Sequence, residues 1–333
     1  MRGMQENTHI LLTGGTGFFG KALLRYWAQQ AQVGQPVAQV TLLSRDPQRF
    51  CNQHPQLAAH PWLHCVRGDI CDESSLPHRS AFTHILHAAA DSTLGPQLTP
   101  LQRYDQIVNG TRHLLDLAVA CGAQRFLLTS SGAVYGTQPV HLNSTPEDWH
   151  GMPDPLNPAN SYGVAKRAAE HLCALYGQAH GLQTVVARCF AFSGADLPLD
   201  VHFAIGNFIR DALFHNEITV AGDGTAMRSY LDQSDLAHWL TALLDRGQSG
   251  EAFNVGSDQA ISITDLATLV RDTLAPNKPI RILGTPDAQR PRHRYVPNTD
   301  KIQRHLGLRA ATSLKESVQN TAQSARSRMN GEA

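Results

Sequence analysis

The 333-residue sequence has little charge of either sign to spare: 28 Lys and Arg stand against 28 Asp and Glu, and charged residues make up 17% of the chain. That balance gives no whole-protein electrostatic hold on nucleic acid or on an anionic membrane, and neither is expected as a partner. Long apolar runs are missing too, since no stretch approaches the ~20 residues a membrane helix needs. The opening MRGMQENTHI is polar and lacks the apolar core of a signal peptide, so a cytoplasmic protein is expected. Cysteine is scarce and scattered: six residues form no C-x-x-C pair, which argues for reduced thiols and against a disulfide framework. The seventeen histidines hold no His-Glu-x-x-His run, and no metal site is expected. What is present is 42% hydrophobic residues, enough for a well-buried globular chain of one large unit or two packed lobes.

The first half alternates apolar runs with amphipathic stretches. Residues 8–14, 37–45, 62–70, 82–90 and 124–132 read as strands that end in small or polar residues. Residues 18–31 and 101–123 read as helices, the second closed by Gly122. Near-continuous apolar strands separated by helices predict an α/β fold, a doubly wound parallel sheet covered on both faces. After about Ala195 the rhythm changes to helices at 202–216 and 234–247, short strands at 218–222 and 251–257, and Pro-rich joints. This predicts a larger domain over 1–194 and a smaller C-terminal α/β lobe over 195–333. Residues 139–161 are too rich in Pro, Asn and Asp for regular structure and are expected to form an ordered loop over a site. The polar tail after Ser313 is expected to fray.

Four glycines crowd the stretch ILLTGGTGFFGKALLRYW, which fits G-x-G-x-x-G at Gly15, Gly17 and Gly20, and G-x-x-G-x-x-G at Gly14, Gly17 and Gly20. A strand precedes it and a helix follows, the context in which such a loop cradles a dinucleotide pyrophosphate. Phe18 and Phe19 open the helix, whose positive end suits an anion. At the end of the second strand an NAD site would carry an acid for the ribose 2′-hydroxyl, yet Ser44 and Arg45 stand there and Asp46 comes late. A guanidinium suits a 2′-phosphate, so the cofactor is NAD or NADP with the balance toward NADP. Asp69 and Ile70 follow the third strand, where Asp69 could accept from an adenine amine. The small residues around His87, Ala88 and Ala89 end the fourth strand and leave room for a flat ring.

Tyr162 and Lys166 are four apart on an expected helix, so they share a face. An ammonium beside a phenol favours the phenolate, and this spacing predicts a lowered Tyr162 pKa and a usable acid/base. Ser130 and Ser131 end the fifth strand, where a hydroxyl can bond a substrate oxygen next to Tyr162.

Taken in order, TGGTGFFG, GDI, HAAA, SSGAVYG, SYGVAK and GDGTAMRSYLDQSDLA make the chain resemble the extended short-chain dehydrogenase/reductase family, specifically its nucleotide-sugar epimerase/dehydratase branch, from about Thr8 to Leu314. The resemblance implies a Rossmann-type domain holding NAD(P) and a C-terminal lobe holding a nucleoside-diphosphate sugar. It implies that Tyr162 moves a sugar hydroxyl proton, that Lys166 binds the nicotinamide ribose and tunes the tyrosine, and that Ser131 bonds the same sugar oxygen. It also implies a homodimer, formed through the long helices.

Two departures narrow the reaction. Where the family's 4,6-dehydratases carry acid/base residues after the catalytic Ser or Thr, this chain has Gly132 and Ala133, which cannot transfer a proton. Hydride transfer at sugar carbon 4, as in a 4-epimerase or 4-ketoreductase, therefore fits better than dehydration. A dehydratase or decarboxylase of the same fold is the alternative, and a non-catalytic NAD(P)-binding sensor is a third reading. In the second departure, Ala191 and Ala195 replace an Asn and a Pro common in the family, so Asn207 becomes a substitute phosphate contact. Arg228 matches the family's diphosphate-binding arginine, and Arg290 is a second candidate.

Overall fold

The computed structural model describes residues 8–78, 81–89, 98–201, 203–285, 287 and 293–329. The chain divides into two compact units, residues 1–136, 152–189 and 237–253 in the first and 137–151, 190–236 and 254–333 in the second.

The first unit is built on β1 (His9–Thr13), β2 (Gln39–Ser44), β3 (Leu63–Arg67), β4 (His84–His87), β5 (Arg125–Ser131) and β6 (Gln183–Cys189). They lie in the order β6-β5-β4-β1-β2-β3 with every pairing parallel, and the strand Ala252–Val255 adds beyond β6. Ile10, Leu11 and Leu12 are all fully buried, as a strand with both faces covered requires. The crossovers are α1 (Phe18–Gln32), α2 (Pro47–Gln53), α3 (Pro55–Ala58), α4 (Pro100–Ala120) and α5 (Ser161–His180). The long α4 starts with a capping box, in which Thr99 accepts from the Gln102 amide and the Gln102 side chain accepts from the Thr99 amide. It packs side by side with α5 around Leu114, Leu115, Ala165 and Ala169.

In the second unit, helix Ala204–Phe214 buries Ile205, Phe208 and Ile209, and helix Ile263–Leu274 buries Leu266 and Val270. Strand Ile218–Val220 pairs in parallel with Ile280–Ile282.

Two expectations change. A single cut at 194/195 does not describe the units, because the helix Gln233–Arg246 gives most of its length to the first unit and the Glu251 carbonyl accepts from the Val186 amide of β6. A strand that extends the large sheet belongs with that sheet wherever it falls in the sequence. The tail, expected to fray, forms a helix from Leu314 to Met329, with Val318, Ala322 and Ala325 buried on one face.

Candidate active site

The glycine loop is a tight turn between β1 and α1. Gly14 has φ +72°, and a Cβ there would lie 2.5 Å from the Ala88 carbonyl group, so the position excludes a side chain on both counts. At Gly20, a Cβ would stand 2.1 Å from the Gly15 Cα, so only glycine lets α1 lie against the loop. Gly17 is the N-cap residue of α1; no side chain caps it and no acid lies in the first turn, which opens with Phe18 and Phe19. Neither a side-chain cap nor a first-turn acid compensates the positive helix end, and the cradle fits a pyrophosphate.

At the end of β2, Ser44 is half-buried and Arg45 exposed. Asp46, the one nearby acid, accepts from the Arg49 amide at 2.9 Å and so caps α2. Asp69 is half-buried and accepts from the Cys71 amide at 2.9 Å; Ile70 is buried. His87 is buried between two threonines, its Nδ1 2.8 Å from Thr13 Oγ1 and its Nε2 3.2 Å from Thr111 Oγ1. Burial holds the imidazole neutral, pushing its pKa down to about 3, with the nearby Lys166 charge adding to the shift. His87 therefore ties β1, β4 and α4 together, while Ala88 and Ala89 continue half-buried past the strand end.

Ser131, Tyr162 and Lys166 come together as the spacing predicted. The Ser131 hydroxyl lies close enough to the Tyr162 phenol to lower its pKa, and it accepts from the Ala133 amide at 3.2 Å. Lys166 is 2% exposed, and its Nζ lies 5.9 Å from the Tyr162 ring centre and donates to the Thr129 carbonyl at 2.8 Å. The expected lowering of the tyrosine pKa is not what the folded chain shows. Burial pushes Tyr162 up to about 12, against the opposing effects of Ser131 and Arg103, and burial brings Lys166 down to about 8. Desolvation of the buried phenol outweighs the lowering effects of the neighbouring hydroxyl and guanidinium.

Beneath this trio lies a buried framework that spacing alone did not reveal. The Ser130 hydroxyl donates to Glu170 at 2.5 Å, Arg188 donates to both Glu170 oxygens at 2.8–3.3 Å, and Arg188 reaches the Tyr135 hydroxyl at 2.9 Å. Glu170 is the next turn on the helix face of Tyr162 and Lys166, a period of four that the sequence did carry. Ser130, a candidate substrate contact, is thus engaged inside the protein.

In the second unit, Asn207 is half-buried and accepts from Arg210 at 3.2 Å. Arg228 is half-buried and donates to the Met227 and His293 carbonyls at 2.8 and 3.3 Å. Arg290 lies outside the described residues. Among the described residues no three His, Cys, Asp or Glu side chains gather as a metal site, and no helix is long and apolar enough to cross a membrane. His60 and His64 stand four apart in sequence but on a loop and on β3, not on one helix face.

This is the doubly wound α/β architecture of dinucleotide-binding proteins, with a Ser-Tyr-Lys cluster at the strand ends. Residues 10–256 match the model of the NAD dependent epimerase/dehydratase family, and the chain belongs to that family. It is 30% identical to UDP-glucuronic acid decarboxylase 6 of Arabidopsis thaliana over 94% of this chain and 88% of the relative. It is 28% identical to the dTDP-glucose 4,6-dehydratase of Streptomyces griseus, covering 94% of this chain and 93% of that one. Among solved structures, the dTDP-glucose 4,6-dehydratase DesIV of Streptomyces venezuelae, with NAD and TYD bound, superposes with a TM-score of 0.82 at 24% identity, covering 97% and 98% of the two chains. The UDP-glucose 4-epimerase of Thermotoga maritima, with UDP-glucose, gives 0.80 at 20%, covering 97% and 100%.

Proposed function

We propose that the protein is an NAD(P)-dependent oxidoreductase of nucleoside-diphosphate sugars acting at sugar carbon 4, as a 4-epimerase or 4-ketoreductase. The observation that carries this reading is the gathering of Ser131 and Tyr162 beside a buried Lys166, whose Nζ lies 5.9 Å from the Tyr162 ring centre. A sugar oxygen placed between hydroxyl and phenol would be held by Ser131 and exchange its proton with Tyr162. The Lys166 ammonium stands behind the phenol and favours its anion. A bound nicotinamide supplies the hydride acceptor and a positive charge that opposes the desolvation of the phenolate. Gly14, Gly17 and Gly20 seat the pyrophosphate, and Asp69 and Ile70 border the adenine. Arg45 together with the engaged Asp46 supports NADP over NAD, although structural neighbours carry NAD. Arg228 and Asn207 are assigned to the substrate diphosphate. A homodimer through α4 and α5 and a cytoplasmic location complete the reading.

A decarboxylase is the second reading, favoured by UDP-glucuronic acid decarboxylases among the relatives and by Gly132 and Ala133. In a 4-ketone bearing a carbon-5 carboxylate, the bond to the carboxylate breaks, its electron pair enters the ketone as an enolate, and CO2 leaves; carbon 5 then takes a proton. That chemistry needs no acid/base pair at 132 and 133, whereas dehydration does.

The test incubates the enzyme with UDP- and dTDP-sugars and identifies products and bound nucleotides by mass spectrometry. Tyr162→Phe is expected to abolish turnover while cofactor binding persists. A Tyr162→Phe enzyme at wild-type rate, or a 4-keto-6-deoxy product without added reductant, overturns the carbon-4 assignment.

A further inference from the structure

The helices α4 and α5 follow successive strands of a parallel sheet, so both begin at the carboxyl ends of the strands and run side by side. Tyr162 is the second residue of α5, and Arg103 the fourth residue of α4. The two first turns are neighbours, and the Arg103 charge acts on the Tyr162 phenol. The Nε of Arg103 is buried from water, yet it has no hydrogen-bond partner among the described residues. A buried donor left unmade costs about 1–3 kcal/mol, and a ligand that accepts a hydrogen bond is one partner that removes this cost.

The Arg103 charge bears on the Tyr162 phenol, but its buried Nε makes no hydrogen bond to the glycine loop or to Ser131, Tyr162 or Lys166. Proton exchange at a sugar hydroxyl does not need it. A guanidinium at that place is matched by a carboxylate, which accepts its forked donors in pairs. The carbon-4 hydroxyl sits one ring carbon from carbon 5, and in a uronic acid carbon 5 carries the carboxylate. An oxygen held by Ser131 and Tyr162 therefore leaves that carboxylate one ring carbon from the reacting centre, within reach of the adjoining first turn of α4 when the ring is turned with carbon 5 toward it.

We propose that Arg103 recognises the carbon-5 carboxylate and that the substrates are nucleoside-diphosphate uronic acids, an inference that rests on the carbon-4 reading above. The assignment concerns recognition and holds whether the carboxylate is later kept or lost. A neutral hydroxymethyl group in its place leaves the buried Nε without a charged acceptor, so the site discriminates by what it would otherwise leave unsatisfied.

The experiment compares sugar nucleotides that differ only at carbon 6: UDP-glucuronate with UDP-glucose, and UDP-galacturonate with UDP-galactose. Wild type, Arg103→Ala and Arg103→Lys are each assayed for kcat/KM and for dissociation constants, with NAD(P) and UDP alone as further ligands. Wild type is expected to favour the acid by at least about tenfold, as one charge-assisted hydrogen bond allows. Arg103→Ala is expected to collapse the acid-to-neutral ratio toward one, and Arg103→Lys to restore part of it. The ratio isolates recognition, because the effect of Arg103 on the Tyr162 phenol falls on both members of a pair alike. A wild type that prefers neutral sugars or shows no preference overturns the proposal. So does an Arg103→Ala enzyme that loses acid, neutral sugar and UDP in equal measure, since the arginine then serves phosphate. Preferential binding of the acid that Arg103→Ala abolishes supports the proposal even where Tyr162→Phe sinks the carbon-4 chemistry.

Discussion

At the scale of single residues, burial sets the behaviour of the ionisable groups more than pairing does. His87 shows this most plainly. Its folded pKa is depressed to about 3, so below pH 6.5 the unfolded chain takes up a proton that the native state refuses. Stability is therefore unaffected by this group above about pH 6.5 and is lost as pH falls toward 3. Between pH 7 and 5 the loss amounts to about 2 kcal/mol. Denaturant midpoints at the two pH values, for wild type and His87→Gln, are expected to show wild type losing about that much more than the variant. Equal losses would place the acid sensitivity elsewhere. The identities of Ser131, Tyr162 and Lys166 were legible in the sequence because a fixed helical period and a strand end suffice to bring them together. The direction of the tyrosine shift was not, because spacing reports which charges are near and says nothing of how much water has been removed. Asp46, which the sequence places late for a ribose contact, takes a capping role through its bond to the Arg49 amide, a role that position alone did not show.

At the scale of elements, α5 carries Tyr162 and Lys166, the proposed acid/base pair, and Glu170 ties this helix to the sheet. That carboxylate receives Ser130 from β5 and Arg188 from β6, and the Glu170–Arg188 pair is largely shielded, with side-chain exposures of 13% and 16%. Removing one partner of a buried pair costs about 3 kcal/mol because the other charge is left behind. Glu170→Gln is expected to lose stability on that order, measured by chemical denaturation. The Glu170 charge also supports the Lys166 ammonium, whose pKa lies near 8. Its removal should move the alkaline limb of kcat to lower pH. A variant that is merely less stable, with an unmoved pH profile, would show that Glu170 does not act on Lys166. Strand and helix positions in the first unit were readable from apolar runs and amphipathic stretches. The C-terminal helix was missed because its polar residues dominate the composition, although Val318, Ala322 and Ala325 already stood at helical spacing.

At the scale of the whole molecule, the chain is formally neutral at pH 7 with a pI near 7.3, so charge repulsion does little to keep copies apart. Its outer surface nevertheless shows apolar side chains on the two helices that lie side by side: Leu101 is 69% exposed and Val119 38% on α4, and Leu175 is 45% exposed on α5. On α5, Ala168, Leu172 and Tyr176 are half-buried and lie on the same face at helical spacing, which widens the patch. A self-complementary contact about a two-fold axis would cover this surface with its own copy, the commonest solution for a soluble oligomer. The first turns of α4 and α5 carry Arg103 and Tyr162, so a dimer made here would brace the helices that present the site. Light scattering is expected to give twice the chain mass for wild type and the chain mass for Leu175→Arg, with kcat reduced in the monomer. A wild type that is monomeric at micromolar concentration, or a Leu175→Arg chain that remains dimeric, would move the interface away from this helix pair.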